Sequence, residues 1–158
     1  MAIEALASDI AASAFGQAMR SSSWAYPLAN VGHLFGLALL AGGIMAVDLR
    51  IMGFWRNLPL KPIHDALTPF AIAGLVIFAI SGVALFAADA RELIRNPVFV
   101  AKMAIVALAA TNALAFRKFA VKALGKSGAN LALGLRMSAT ISLCLWSAAI
   151  ICGRMIAY

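Results

Sequence analysis

Apolar residues fill four long runs of this chain, and polar residues gather in short clusters between them. Each run has the roughly 20 residues that a helix needs to cross a bilayer. The first spans about 27–52 and starts at Pro27, a good first-turn residue. The second spans about 66–88, entered through "KPIHDALTP", with Asp65 as N-cap and Pro69 in the first turn. Asn96 as cap and Pro97 at the first helical position open the third, about 97–117. The fourth covers about 133–157, after the linker "RKFAVKALGKSGANLA", in which Gly125, Ser127, Gly128 and Asn130 act as breakers. Ahead of these runs, Ile3, Leu6, Ile10 and Ala14 recur at helical spacing, which predicts an amphipathic helix over about 2–20 lying on the membrane surface. Short linkers make neighbouring helices antiparallel. The expected architecture is all-α: one transmembrane domain over 1–158, an antiparallel four-helix bundle with an N-terminal surface helix.

Composition makes lipid the required solvent. Hydrophobic residues are 64% of the 158 and charged ones 12%, against about half and a quarter in soluble domains. The net charge of +7 would suit nucleic acid, but the basic residues sit between the apolar runs, where they meet anionic headgroups and set orientation. Arg50, Arg56, Lys61, Arg117, Lys118, Lys122, Lys126 and Arg136 fall on one side; Arg20, Arg91, Arg95, Lys102 and Arg154 fall on the other. The richer side is cytoplasmic by the positive-inside rule. Both termini then face outward, to the periplasm if the membrane is a bacterial inner membrane. Trp24, Tyr26, Trp55 and Tyr158 fall at the interfaces, as aromatic anchors do. Cys144 and Cys152 are about 12 Å apart along one helix and cannot pair.

Orientation sorts the polar groups by depth. His33 lies about 9 Å into the first helix from its outer end, and Lys102 about 8 Å into the third, also from outside. Arg154 occupies the outer end of the fourth. These three groups share one layer, whereas His64 enters at the inner side, too far away to ligate one group together with His33. Gly32 and Gly36 flank His33 at the spacing that lets a second helix, or a flat ligand, approach closely. Two readings of His33 stand: an axial heme ligand beside side chains that are missing, or a hydrogen bond to a hydroxyl or carbonyl of a neighbouring helix. Lys102 either snorkels to headgroups or serves as second ligand or base. Arg154 suits a propionate or a lipid phosphate, and Trp24 could line the mouth of an outer cavity. Asp48 requires a partner on another helix, such as Arg117 or Arg136. Met45 and Met52 share a helix face, and thioethers can hold Cu(I). There is no acid pair at one depth, no Ser-His-Asp set, no Gly-rich phosphate loop and no CxxC.

The segments "WAYPLANVGHLFGLALLAGGIMAVDLRIMG", "NPVFVAKMAIVALAATNALAF" and "SLCLWSAAIICGRMIAY" together resemble a family of uncharacterised bacterial four-helix membrane proteins, the DUF6644 type. More distantly, the order His33, Gly43, Arg50, Lys102 is similar to HemJ-type protoporphyrinogen oxidases, and the layout to CopD-type copper-resistance membrane proteins. The tryptophan and Pro-Arg that follow the first histidine in the HemJ type are absent here. That resemblance implies heme b on His33, with the histidine and lysine tied to activity. The expected function is a b-type heme-binding membrane redox protein, passing electrons or oxidising a porphyrin. His33 and Lys102 would be metal ligands, with Arg154, Gly32, Gly36 and Trp24 around the cofactor. Two alternatives accompany it: a copper-handling protein using His33 with methionines, and a structural subunit of a larger membrane complex packed through Gly32, Gly36 and Gly43. The expected partners are the bilayer, a redox protein and a second copy of the chain.

Overall fold

The computed structural model describes residues 2–123 and 129–156, with side chains described outside 117–132. The expected breakers Gly125, Ser127 and Gly128, the interface residue Tyr158 and the side chains of Arg117, Lys118, Lys122, Lys126 and Asn130 lie outside what is described. Among the described residues there are six helices and no strand: α1 (Ala2–Ala12), α2 (Ala14–Ser21), α3 (Ala25–Met52), α4 (Leu60–Leu93), α5 (Pro97–Ala123) and α6 (Ala129–Met155). Helices α3, α4, α5 and α6 are long and apolar enough to cross a membrane, and are compatible with a membrane helical bundle.

Several boundaries follow from local chemistry. The expected single surface helix is two, because Ser13 leaves the helix in an extended conformation and accepts the Gly16 amide on its hydroxyl at 3.1 Å. This serine is an N-cap in mid-segment. Asn96 caps α5 as expected, taking the Val98 amide on its side-chain oxygen at 2.9 Å, with Pro97 first in the helix. Helix α4 starts at Leu60, earlier than expected. Pro62 can occupy its first turn, where no amide is needed. Asp65 is therefore inside the helix, paired with Lys61, and Pro69 is an interior proline, tolerated where neighbouring groups satisfy the backbone. Near its other end α4 kinks at Asp89, whose φ of −123° and ψ of 26° are not helical.

The chain forms two compact units, Met1–Gly42 with Pro69–Val100, and Gly43–Thr68 with Ala101–Tyr158. In the first, α3 and α4 meet backbone to backbone. A Cβ on Gly36 would lie 2.6 Å from the Phe78 nitrogen and 2.9 Å from the Gly74 oxygen; one on Gly74 would lie 2.5 Å from the Leu40 nitrogen. Helices α1 and α2 dock on the far end of α4. Ala7, Ala11 and Ala90 are buried together, with Ile10, Phe86 and Ile94 around them, and a Cβ on Gly16 would lie 2.7 Å from the Ala87 oxygen. Arg20 fastens this layer by donating to the carbonyls of Ala88, at 2.6 Å, and Ala11. In the second unit, Ala139, Ser142, Trp146 and Ala149 form the buried stripe of α6. Asn112 and Ser138 exchange two hydrogen bonds of 3.0 Å between α5 and α6. The turn after α3 uses the left-handed conformations of Gly53 and Trp55, and Arg50 donates to the carbonyls of Leu58 and Arg56 across it.

The glycine contact makes a signed prediction. Alanine normally stabilises a helix interior over glycine by up to about 1 kcal/mol, so Gly42→Ala, which meets nothing within 4 Å, should leave the thermal midpoint unchanged or raised. Gly36→Ala should lower it, by an overpacking cost on the order of 1–3 kcal/mol. Melting of the two variants in the same detergent checks this, and equal midpoints would refute the close contact.

Candidate functional site: the His33 niche

His33 lies one turn before Gly36 on α3, and Phe78 lies one turn after Gly74 on α4. The glycine contact therefore fixes the distance from which the imidazole faces α4. Its Nδ1 is 3.0 Å from the Phe78 carbonyl oxygen and 3.2 Å from the Ser81 hydroxyl, the contact to a neighbouring helix that is the second of the two readings of this histidine. Ser81 is committed as a donor to its own helix, at 2.6 Å from the Ile77 carbonyl. With a carbonyl as partner, Nδ1 must carry the proton, and the lone pair of a neutral ring then belongs to Nε2. The ring stacks on Phe78, with centroids 4.1 Å apart. Opposite it, Gly82 supplies space: a Cβ there would lie 3.1 Å from Cε1 and 3.4 Å from Nδ1 of His33. The niche is thus made by Phe78, Ser81 and Gly82, a set that the sequence reading did not name. A Ser-Gly pair in an apolar run was its available signal.

The other expected site residues distribute as follows. A Cβ on Gly32 would lie 3.8 Å from the Ser81 Cβ, an ordinary van der Waals distance, whereas the space at Gly36 is filled by the α4 backbone. This pair is used for helix packing within the first unit, so the flat-ligand use of the space at Gly36 is taken by α4. Trp24 is 74% exposed in the turn before α3, as an interface anchor would be. Tyr26 hydrogen-bonds Asp89 at the α4 kink. Lys102 and Arg154 belong to the second unit. There the Lys102 side chain lies along the open side of Gly153, 3.5 Å from where a Cβ would be, and close to Cys152. Helices α5 and α6 thereby bring Lys102 beside Gly153, the residue before Arg154. His64 faces Asp65, Nδ1 to Oδ1 at 3.2 Å.

Metal chemistry has a narrow base. Among the described residues, no three His, Cys, Asp or Glu side chains gather as a metal site. Met45 follows His33 by twelve residues on the same helix, about 18 Å of rise, too far for one copper ion to bridge them. Asp48 is buried and hydrogen-bonded to Ser142 of α6. The expected partner Arg136 is exposed, and the side chain of Arg117 lies outside the described residues.

Residues 13–158 match the model of a family described as a family of unknown function (DUF6644). No curated protein and no solved structure matches the chain.

Gly82 gives the niche its test. Gly82→Ala places a methyl carbon inside the contact distance of the imidazole, whereas Gly32→Ala adds only an ordinary contact. In uniformly labelled protein the His33 ring resonances should move markedly in Gly82→Ala and stay near their wild-type positions in Gly32→Ala. Unchanged resonances in both would remove Gly82 from the niche.

Proposed function

Because the chain belongs to the DUF6644 family, whose description assigns no activity, a function has to be argued from its own residues, and we propose that it is a b-type heme-binding membrane redox protein with His33 as axial ligand. One observation carries this reading: Nδ1 of His33 lies 3.0 Å from a backbone carbonyl oxygen, a partner that calls for the tautomer protonated on Nδ1. Metal-ligating histidines are oriented in the same way, through the nitrogen that does not bind the metal. The donor set fits the group in a second respect. Stacking on Phe78 and the gap at Gly82 hold the ring plane, so that the ligating nitrogen would be presented at a fixed angle. The order of His33, Gly43, Arg50 and Lys102, similar to that of HemJ-type oxidases, supports the same choice.

Heme, when bound, supplies one-electron chemistry. The chain's own part is to orient His33, to raise its basicity through the Phe78 carbonyl and to keep bulk water away with apolar helices. Lys102 and Arg154 form a basic end on α5 and α6 that suits an anionic group, a propionate or a lipid phosphate alike. We place the protein in the cytoplasmic membrane of a bacterium with both termini outward. A redox protein would be its partner.

The absorption spectrum decides. Full-length protein, purified from cells supplied with a heme precursor, should show a Soret band that shifts on reduction. His33→Ala should lose that band, and added imidazole should restore part of it. Ser81→Ala should retain the band with an altered reduction potential. Stoichiometric copper without a chromophore would overturn the proposal in favour of copper handling, and a fixed co-purifying protein without cofactor would overturn it in favour of a structural subunit.

A further inference from the structure

The second unit contains a polar pair that the heme reading does not use. Asp48, near the end of α3, is only 6% exposed, among Val47, Ser142 and other buried residues. Ser142 hydrogen-bonds its carboxyl group; the oxygen Oδ2 is buried and has no hydrogen-bond partner. Trp146, one turn beyond Ser142 on the same stripe of α6, is 2% exposed, and its Nε1 is likewise without a partner. An acceptor and a donor left unmet in one compact unit are uncommon, since buried polar atoms almost always find partners.

Among the described residues, the charged groups of the unit near Asp48 are engaged or turned elsewhere. Arg50, two residues from Asp48, donates to the carbonyls of Leu58 and Arg56, and Arg56 itself donates back to Gly53. On α4, Lys61 and His64 both address Asp65. Arg136 of α6 is exposed. Lys102 of α5 lies beside Gly153, eleven residues and about 16 Å along α6 from Ser142, in the same region as Arg154. No group of three metal-ligating side chains gathers there among the described residues. A carboxylate stripped of water with one oxygen unmet is far costlier than a neutral carboxyl with one unmet hydrogen bond. The smallest cation resolves this, and it needs no further ligands.

We propose that Asp48 is a proton-binding site within the membrane-spanning part of the protein: Oδ2 takes up one proton, converting the carboxylate to a carboxylic acid, while the Ser142 hydroxyl holds the other oxygen. The Trp146 N–H, one turn along α6 from Ser142, offers a donor to a water molecule, with both donor and acceptor capacity, when the proton leaves. This makes Asp48 an exchangeable proton store, of the kind used where charge movement across a membrane is coupled to protonation. The inference is independent of the heme proposal, since it concerns the other unit and its test reads the carboxyl directly.

Dicyclohexylcarbodiimide, a lipid-soluble reagent that attacks protonated carboxyls, tests it on full-length protein in liposomes. At neutral pH, mass spectrometry after digestion should find the adduct on Asp48, and a water-soluble carbodiimide should label exposed Glu4 and Asp65 instead. Infrared spectra should show the carbonyl band of a protonated carboxyl, shifted in heavy water, absent in Asp48→Asn and displaced in Ser142→Ala. Should Asp48→Asn not fold, the adduct and the heavy-water shift in the wild-type protein decide by themselves. Absence of both, or labelling suppressed by sodium or potassium ions at constant pH, would overturn the proposal, the latter by assigning the site to a metal cation.

Discussion

Close approach of two backbones, permitted by one glycine on each, is the constraint on which the first unit depends. Gly36 and Gly74 face each other so closely that a single methyl on either would collide with main-chain atoms of the other helix. In lipid there is no hydrophobic force between helices to exploit, because acyl chains are as apolar as leucine; close van der Waals contact has to do the work. One turn from this contact on each helix of the pair stand His33 and Phe78. Were the helices held apart by ordinary side chains, the imidazole would not reach a carbonyl of α4 at 3.0 Å. The chemistry attributed to His33 is therefore a consequence of packing, and the niche is as rigid as the glycine seam beneath it.

Much of this was legible in the sequence, for physical reasons that can be assigned residue by residue. Four spans could be read because hydrocarbon content and length admit few alternatives, and Asn96-Pro97 could be read because capping is local. Gly32 and Gly36 signalled a small-residue face, but the identity of the opposite residue depends on helix register, which no local pattern encodes; Gly74 is an unremarked glycine in an apolar run until α3 is laid against it. The start of α4 was misplaced because Asp65 and Pro69 look like a helix entrance, whereas a membrane helix can carry both inside. Arg20 was counted among outer surface charges. It turns instead onto two carbonyls, one of them that of Ala88, a residue with 0% exposure beside the Asp89 kink.

The Arg20 case belongs to a pattern. Arg20 on Ala88 and Ala11, His33 on Phe78, Arg50 on Leu58 and Arg56, and Asn112 on Ser138 all direct a side-chain donor to a backbone carbonyl. A carbonyl oxygen has two lone pairs, and in a helix the amide four residues on uses one of them. The second is an acceptor that every helix carries and that costs no buried charge. A chain with 13 basic residues and six acidic ones cannot satisfy its cations with carboxylates, and these contacts show how it does without them.

Such an arrangement makes acids, rather than bases, the groups whose burial calls for explanation. Most donors inside the protein find carbonyls, Trp146 Nε1 excepted; an acceptor cannot, because the backbone amides of a helix are already engaged. Of the acids, Glu4 faces Arg95, Asp65 faces Lys61 and His64, and Asp89 takes the Tyr26 hydroxyl. Each has a donor supplied by a side chain at the edge of a span. Asp48 is placed on the buried stripe, where Ser142 supplies one donor and its second oxygen has none. Protonation turns that oxygen from a charged acceptor into a neutral O–H donor, and an unmet neutral group is the easier deficit to carry in an apolar interior. The same asymmetry explains why a histidine could be accommodated in the first unit by one carbonyl, while a carboxyl in the second unit requires something from outside the chain.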